Sequence, residues 1–128
     1  MTKYNHDETF TIGTVAELKS ISAYTLRYYD KKGLLPKVFR DKNGIRQFTE
    51  EDLQWLDMIK CLKNTGMSLE QLKVFVDATY QGPQTLAARI ALLKKQTEKI
   101  NTHIAQQQSY LKQVNRKIKT LNDEDSLF

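Results

Sequence analysis

The sequence predicts an all-α chain with a small β wing, arranged as a winged helix-turn-helix followed by a long dimerisation helix. Three observations carry that expectation. Two short helical segments lie close together, each preceded by a capping hydroxyl residue, Thr11 and Ser22. An Asn43-Gly44 pair sits between two β-prone runs. From Leu86 to Leu121 there is no Gly or Pro, and apolar residues recur at alternating spacings of four and three.

The elements follow in order. Residues 1–9 are polar and aperiodic, and are expected to be a flexible lead-in. Thr11 caps a first helix that turns Ile12, Val15, Ala16 and Leu18 inward, and Ser22 caps a second helix from about Ala23 to Lys32. The intervening Lys19-Ser20-Ile21 is the turn of a helix-turn-helix. Gly33 ends the second helix and Pro36 prevents its resumption. Val38 to Phe48 reads as a hairpin turning at Asp41-Lys42-Asn43-Gly44, where Asn43 and Gly44 both tolerate positive φ.

Thr49, followed by Glu50, Glu51 and Asp52, starts a third helix with a good cap and with acids at the positive end of its dipole. Its apolar face is expected to hold Leu53, Trp55, Leu56, Met58, Ile59 and Leu62, with Trp55 and the methionines in the core. Gly66 ends it, and Ser68 caps a fourth helix carrying Leu69, Leu72, Val74, Phe75 and Val76. Gln81-Gly82-Pro83 is a strong break. The winged helix-turn-helix with its two supporting helices therefore spans 10–81, the dimerisation helix 82–121 and a loose acidic tail 122–128.

The last helix needs a partner. Its stripe runs through Leu86, Ile90, Leu93, Ile100, Ile104, Leu111, Val114, Ile118 and Leu121, with Thr97 and Gln107 at the two polar positions. Such a helix is on the order of 50 Å long, more than a small N-terminal core can cover, so a second copy is the expected partner.

Charge points to an anionic ligand. The 128 residues suffice for one modest core and carry a formal charge of +5. Between Lys19 and Arg46 there are eight basic residues and two acids, Asp30 and Asp41, whereas the third helix opens on acids. On a helical wheel Leu26 and Tyr29 fall on the core side of the second helix, and Tyr24, Arg27, Tyr28 and Lys31 on the other. A helix that enters a DNA groove needs this division, one side fixing its pose and the other presenting donors. Arg27 suits a guanine edge, and the tyrosines and Lys31 suit phosphates. A solvated charged face is the plain alternative, weighed against by Arg40, Lys42 and Arg46 on the adjacent wing.

These residues resemble a known family. Thr11-Ile-Gly-Thr-Val-Ala-Glu-Leu18, then Ser22-Ala-Tyr-Thr-Leu-Arg-Tyr-Tyr-Asp-Lys-Lys-Gly-Leu-Leu-Pro36, then Arg40 and Gly44-Ile-Arg-Gln-Phe48, look like the signature of the MerR transcription regulators, over about Phe10 to Leu72. The resemblance implies that Tyr24, Thr25, Arg27 and Tyr28 face the major groove and its phosphates, with Arg40 and Arg46 on the wing. It implies a homodimer joined through an antiparallel coiled coil, bound to double-stranded promoter DNA at an inverted repeat. Distortion of an over-long spacer would then act on RNA polymerase indirectly, through the promoter. Three positions depart from the pattern: Asp30 replaces a glutamate, Ser20 a turn glycine and Phe48 a tyrosine.

Cys61, in Ile59-Lys60-Cys61-Leu62-Lys63, resembles the lone thiol of the AdhR- or NmlR-like subgroup, which responds to aldehydes and electrophiles in stress. Its other reading is a small buried hydrophobe, and the rival to thiol sensing is a small-molecule pocket. One cysteine excludes an intrachain disulfide. His6 and His103 are isolated surface residues, so neither a metal nor a cofactor is expected. An enzyme is not expected either, for want of a metal set, a phosphate loop or a placed acid-base pair. A coiled-coil adaptor without DNA is the alternative of a different class. No apolar run spans a membrane and no signal segment opens the chain, so a cytoplasmic protein is expected.

Overall fold

A computed structural model describes residues 8–123. The expectations for residues 1–7 and for the tail beyond Asp123 lie outside the described residues. The chain is mostly helical with a small three-stranded sheet: β1 (Thr9–Phe10), α1 (Ile12–Lys19), α2 (Ala23–Lys31), β2 (Phe39–Arg40), β3 (Arg46–Thr49), α3 (Glu50–Asn64), α4 (Leu69–Gln81), a 3-10 turn (Pro83–Thr85) and α5 (Leu86–Asn122).

Hydroxyl caps start the first four helices. Thr11, Ser22, Thr49 and Ser68 each have extended backbone and accept an N–H from three residues on. At α3 and α4 the bond is reciprocated, Asp52 and Gln71 reaching back to the cap N–H. The stops are equally local. Ser20 closes α1 in the left-handed region at φ 54°, the one non-glycine residue with positive φ among the described residues. Gly33 follows α2 at φ 78°, a left-handed conformation that calls for glycine.

The wing departs from a simple two-residue hairpin. Of Asn43 and Gly44 only Gly44 has positive φ. The turn is instead pinned by Asp41, whose Oδ1 accepts the N–H groups of Asn43 and Ile45 at 2.9 and 3.0 Å. β3 is the central strand, pairing antiparallel with β2 and with β1, Phe10 opposite Phe48. Thr9 thus belongs to a strand, although residues up to 9 read as lead-in. Its Oγ1 donates to Gln47 Oε1 at 2.9 Å, a partner 38 positions away.

The core of the N-terminal unit, which ends at Leu86, is built from Val15 of α1, Leu26 of α2, Leu34 and Leu35 after it, Phe48 of β3, and Leu56, Ile59, Leu62, Met67, Leu72, Phe75 and Val76 of the α3–α4 pair. Three residues expected inside lie at the surface: Leu18 is 60% exposed, Met58 39% and Val74 59%. Each sits beyond the arc of its helix that faces the core, which a broad apolar stripe on a wheel does not resolve. Trp55 is half-buried rather than core, because its Nε1 must reach a partner. It donates to Tyr80 Oη at 3.0 Å while its ring packs edge-on against Phe75, centroids 5.9 Å apart.

Asp52 is fully buried. Besides capping α3 it accepts the Lys37 N–H at 3.3 Å, tying the approach to the wing onto α3. Burial raises its carboxyl above the ordinary value, against the lowering effect of the Thr49 and Lys37 bonds.

α5, described by itself, runs 37 residues, about 55 Å at 1.5 Å per residue. Leu86, Ile90, Ile104, Leu111, Val114, Ile118 and Leu121 are 44–59% exposed along it, with Leu93 and Ile100 half-buried. Among the described residues no helix is long and apolar enough to cross a membrane.

Candidate nucleic-acid interface

The outward side of α2 is set by its cap. Ser22 fixes the first turn, its Oγ accepting the Thr25 N–H at 3.1 Å, and Leu26 is driven fully into the core. A helix anchored at those two points turns Tyr24, Arg27, Tyr28 and Lys31 outward. Tyr24 is 76% exposed and Tyr28 38%.

Arg46 reaches this surface from β3. Its Nε donates to Asp30 Oδ2 at 2.7 Å, and the two side chains are only 19% and 24% exposed. The pair clamps the wing to α2. Tyr24, Arg27, Tyr28, Lys31 and Arg46 together line a notch of about 340 Å³, so five of the eight residues expected on the DNA face share one concavity.

The other three stand apart from it. Thr25 is half-buried and its hydroxyl takes a hydrogen bond from Ser22 Oγ at 2.9 Å, so it serves the cap. Arg40 is exposed on β2 and donates through Nη1 to the Gly44 carbonyl at 2.8 Å, stiffening the wing. Lys42 is exposed on the wing turn. Phe48, where a hydroxyl was missing from the expected pattern, is fully buried and has no surface to offer a phosphate.

Tyr28 also borders a larger groove of about 630 Å³, shared with Lys32, Lys63, Ser68, Leu69, Glu70 and Lys73. Lys32 Nζ lies 5.6 Å from the Tyr28 ring centroid, and Lys73 Nζ pairs with Asp77 Oδ1 at 2.5 Å. The sequence did not show that these lysines share a groove. Lys32 follows Tyr28 by four positions, a spacing that puts both on one helical face, but Lys63 and Lys73 come from other helices and left no local signal.

Cys61 is exposed on α3, which removes the buried-hydrophobe reading within this unit. Of its two neighbouring lysines, Lys60 donates to the Lys19 carbonyl at 3.0 Å and Lys63 lines the groove. Among the described residues no cluster of His, Cys, Asp and Glu could hold a metal ion.

Comparison with known proteins gives a consistent picture. The sequence matches the family described as "MerR HTH family regulatory protein" over residues 10–79 and that described as "MerR, DNA binding" over residues 53–117. An uncharacterized HTH-type transcriptional regulator of Haemophilus influenzae is 50% identical over 103 residues, 80% of this chain and 76% of its own. The HTH-type transcriptional regulator AdhR of Bacillus subtilis is 38% identical over 89 residues, 70% of this chain and 64% of its own. Among solved structures, HiNmlR, a MerR family regulator lacking the sensor domain and bound to promoter DNA, superposes with a TM-score of 0.82 at 45% identity, covering 94% of this chain and 95% of that one. A MerR family regulator from Listeria monocytogenes superposes with a TM-score of 0.83 at 33% identity, covering 90% and 87%.

Proposed function

Because this chain belongs to the MerR family of DNA-binding transcription regulators, we propose that it binds a promoter inverted repeat as a homodimer, reading each half-site with the α2 and wing face. Tyr24, Arg27, Tyr28 and Lys31 enter the major groove and meet its phosphates, Arg40 and Lys42 follow the backbone from the wing, and Arg46 holds wing and helix in one pose. The observation that carries this reading is the shared notch, with Arg46 braced by Asp30 at 2.7 Å, since groove recognition requires donors whose relative positions are fixed before DNA arrives. The likeness to a promoter-bound relative supports it.

The α5 stripe supplies the second protomer, through Leu86, Ile90, Leu93, Ile100, Ile104, Leu111, Val114, Ile118 and Leu121. Two such faces on one spacer can bend and untwist it, a distortion costing several kcal/mol that duplicated phosphate contacts offset. RNA polymerase is then affected through the promoter rather than by contact.

The effector is an aldehyde or other electrophile that modifies Cys61. Its exposure and the likeness to AdhR and HiNmlR support this assignment. A non-thiol ligand is the second reading, favoured by the groove bordering Tyr28, whose occupant would touch the same helix that meets DNA.

Footprinting on DNA upstream of the protein's own gene and its neighbours, at two salt concentrations, tests the core of the reading. A protected inverted repeat between promoter elements, weakened steeply by salt, is expected, and absence of discrete protection across genomic fragments contradicts it. A Cys61→Ser protein that still responds to aldehyde eliminates the thiol assignment.

A further inference from the structure

The seam of α5 holds two polar residues, and their positions define how two copies fit together. Thr97 and Gln107 are both exposed and both fall on the apolar stripe. We propose that α5 pairs with a second copy in a single antiparallel register, the one that sets Thr97 of each helix against the partner's Gln107. The inference rests on the dimer reading above and adds its geometry.

In an antiparallel coiled coil, positions of the two seam classes face one another across the interface. Setting Thr97 against the partner's Gln107 also sets Ile100 against Ile104, Leu93 against Leu111, Ile90 against Val114 and Leu86 against Ile118, so every apolar residue but the terminal Leu121 meets an apolar partner. Slipping one helix by a heptad places Gln107 against the partner's Ile104 and Thr97 against Val114 in one direction, or Gln107 against Ile90 and Thr97 against Ile100 in the other, and either way buries each polar group on hydrocarbon. The first register satisfies them. Thr97 Oγ1 donates to the Leu93 carbonyl at 3.1 Å, which commits its hydrogen and leaves its lone pairs to accept from the Gln107 amide.

Charge disfavours two of the alternatives as well. α5 carries eight Lys and Arg against one acid, Glu98, in two clusters separated by a stretch from Ile100 to Leu111 without Lys, Arg, Asp or Glu. With Thr97 opposite Gln107, the cluster at Lys94, Lys95 and Lys99 lies over the partner's residues 105–110, which are uncharged, and the cluster from Lys112 to Lys119 lies over residues 85–92, whose one charge is Arg89. The slip that sets Gln107 on Ile104 stacks residues 94–99 on residues 112–117, cation on cation, and parallel pairing stacks each cluster on its own copy, while the opposite slip is excluded by its buried polar pairs rather than by charge. The approach of Arg89 to the partner's Lys117 is the remaining like-charge contact, between long side chains at the flank of the seam.

Pulsed dipolar spectroscopy of the full chain in a Cys61→Ser background, nitroxide-labelled at Thr102→Cys or at Lys112→Cys, reads the register. The proposal predicts no offset along the coil for the Thr102 pair and about 30 Å for the Lys112 pair, from twenty residues at 1.5 Å. An offset of about 10 Å for the Thr102 pair, with about 20 or about 40 Å for the Lys112 pair, identifies a heptad slip in one direction or the other, and equal offsets near zero at both sites identify parallel pairing, any of which overturns it. Loss of dipolar coupling with a monomer mass in sedimentation equilibrium refutes the dimer reading itself, a separate outcome.

Discussion

Arg46 on β3 and Asp30 on α2 are joined by a 2.7 Å hydrogen-bonded ion pair that is about four-fifths buried on both sides. One partner is a cation expected to meet DNA and the other is an acid on the same face, so the pair exchanges free charge for fixed geometry.

Asp30→Asn separates those two effects. Losing the pair costs about 1 kcal/mol of stability, the modest value fitting a partly solvated bridge. It also releases Arg46 to the phosphates, so affinity for non-operator DNA rises and the salt slope steepens by about 0.9 per half-site while preference for the operator falls. Titrations on operator and random duplexes at several salt concentrations check this. Equal changes on both duplexes would show that the clamp does not bear on recognition.

Arg27 and Lys31 sit on the same notch but are predicted to fail differently. Arg27→Ala loses about 1–3 kcal/mol of discrimination at one base position, and operator variants at that position become equivalent. Lys31→Ala weakens all sequences alike and lowers the salt slope by about 1 per half-site. Competition binding with single-base operator variants distinguishes the two patterns.

Much of the fold was legible because its signals are local. Hydroxyl caps at Thr11, Ser22, Thr49 and Ser68, and stops at Gly33, Gly66 and Gly82, are written within four residues of the boundaries they set. What escaped is non-local. β1 is two residues long and exists through backbone pairing with β3, leaving no alternation to detect. The placement of Arg46 depends on an acid sixteen positions earlier, and in the sequence Asp30 stands out only as one of two acids in a basic stretch and as a departure from a family pattern. The Tyr28 groove is assembled from three helices, so no single stretch announces it. Met58 and Val74 were drawn inward by a wheel that cannot tell the edge of a core-facing arc from its centre.

Ser20 holds a left-handed conformation at φ 54° that glycine adopts at lower cost. Ser20→Gly is therefore expected to stabilise the chain by about 1 kcal/mol, net of the entropy that glycine adds to the unfolded state. Urea unfolding should show a higher midpoint at unchanged slope. An unchanged or lower midpoint would mean that the turn carries no strain.

The Asp52 carboxyl is raised chiefly by burial, so the folded state holds its proton more tightly than the unfolded chain does. Its contribution is full below the ordinary carboxylate value near 3.8 and is lost as pH rises through the folded value, so stability from this group falls with pH over that window. Asp52→Asn removes the titration. The stability difference between wild type and Asp52→Asn should shift in the variant's favour as pH rises from about 4, and a difference independent of pH would show that the hydrogen bonds from Thr49 and Lys37 cancel the cost of burial.

The central claim, that the α2 and wing face meets the operator, is tested most directly by hydroxyl-radical footprinting of the protein with and without operator DNA, read at individual tyrosines by mass spectrometry. Tyr24 and Tyr28 expose 76% and 38% of their surface on that face, and Tyr110, 54% exposed on α5, is an internal reference present in both samples. The account predicts that operator DNA protects Tyr24 and Tyr28 and leaves Tyr110 unchanged. Undiminished oxidation of Tyr24 and Tyr28 in a saturated complex would contradict it.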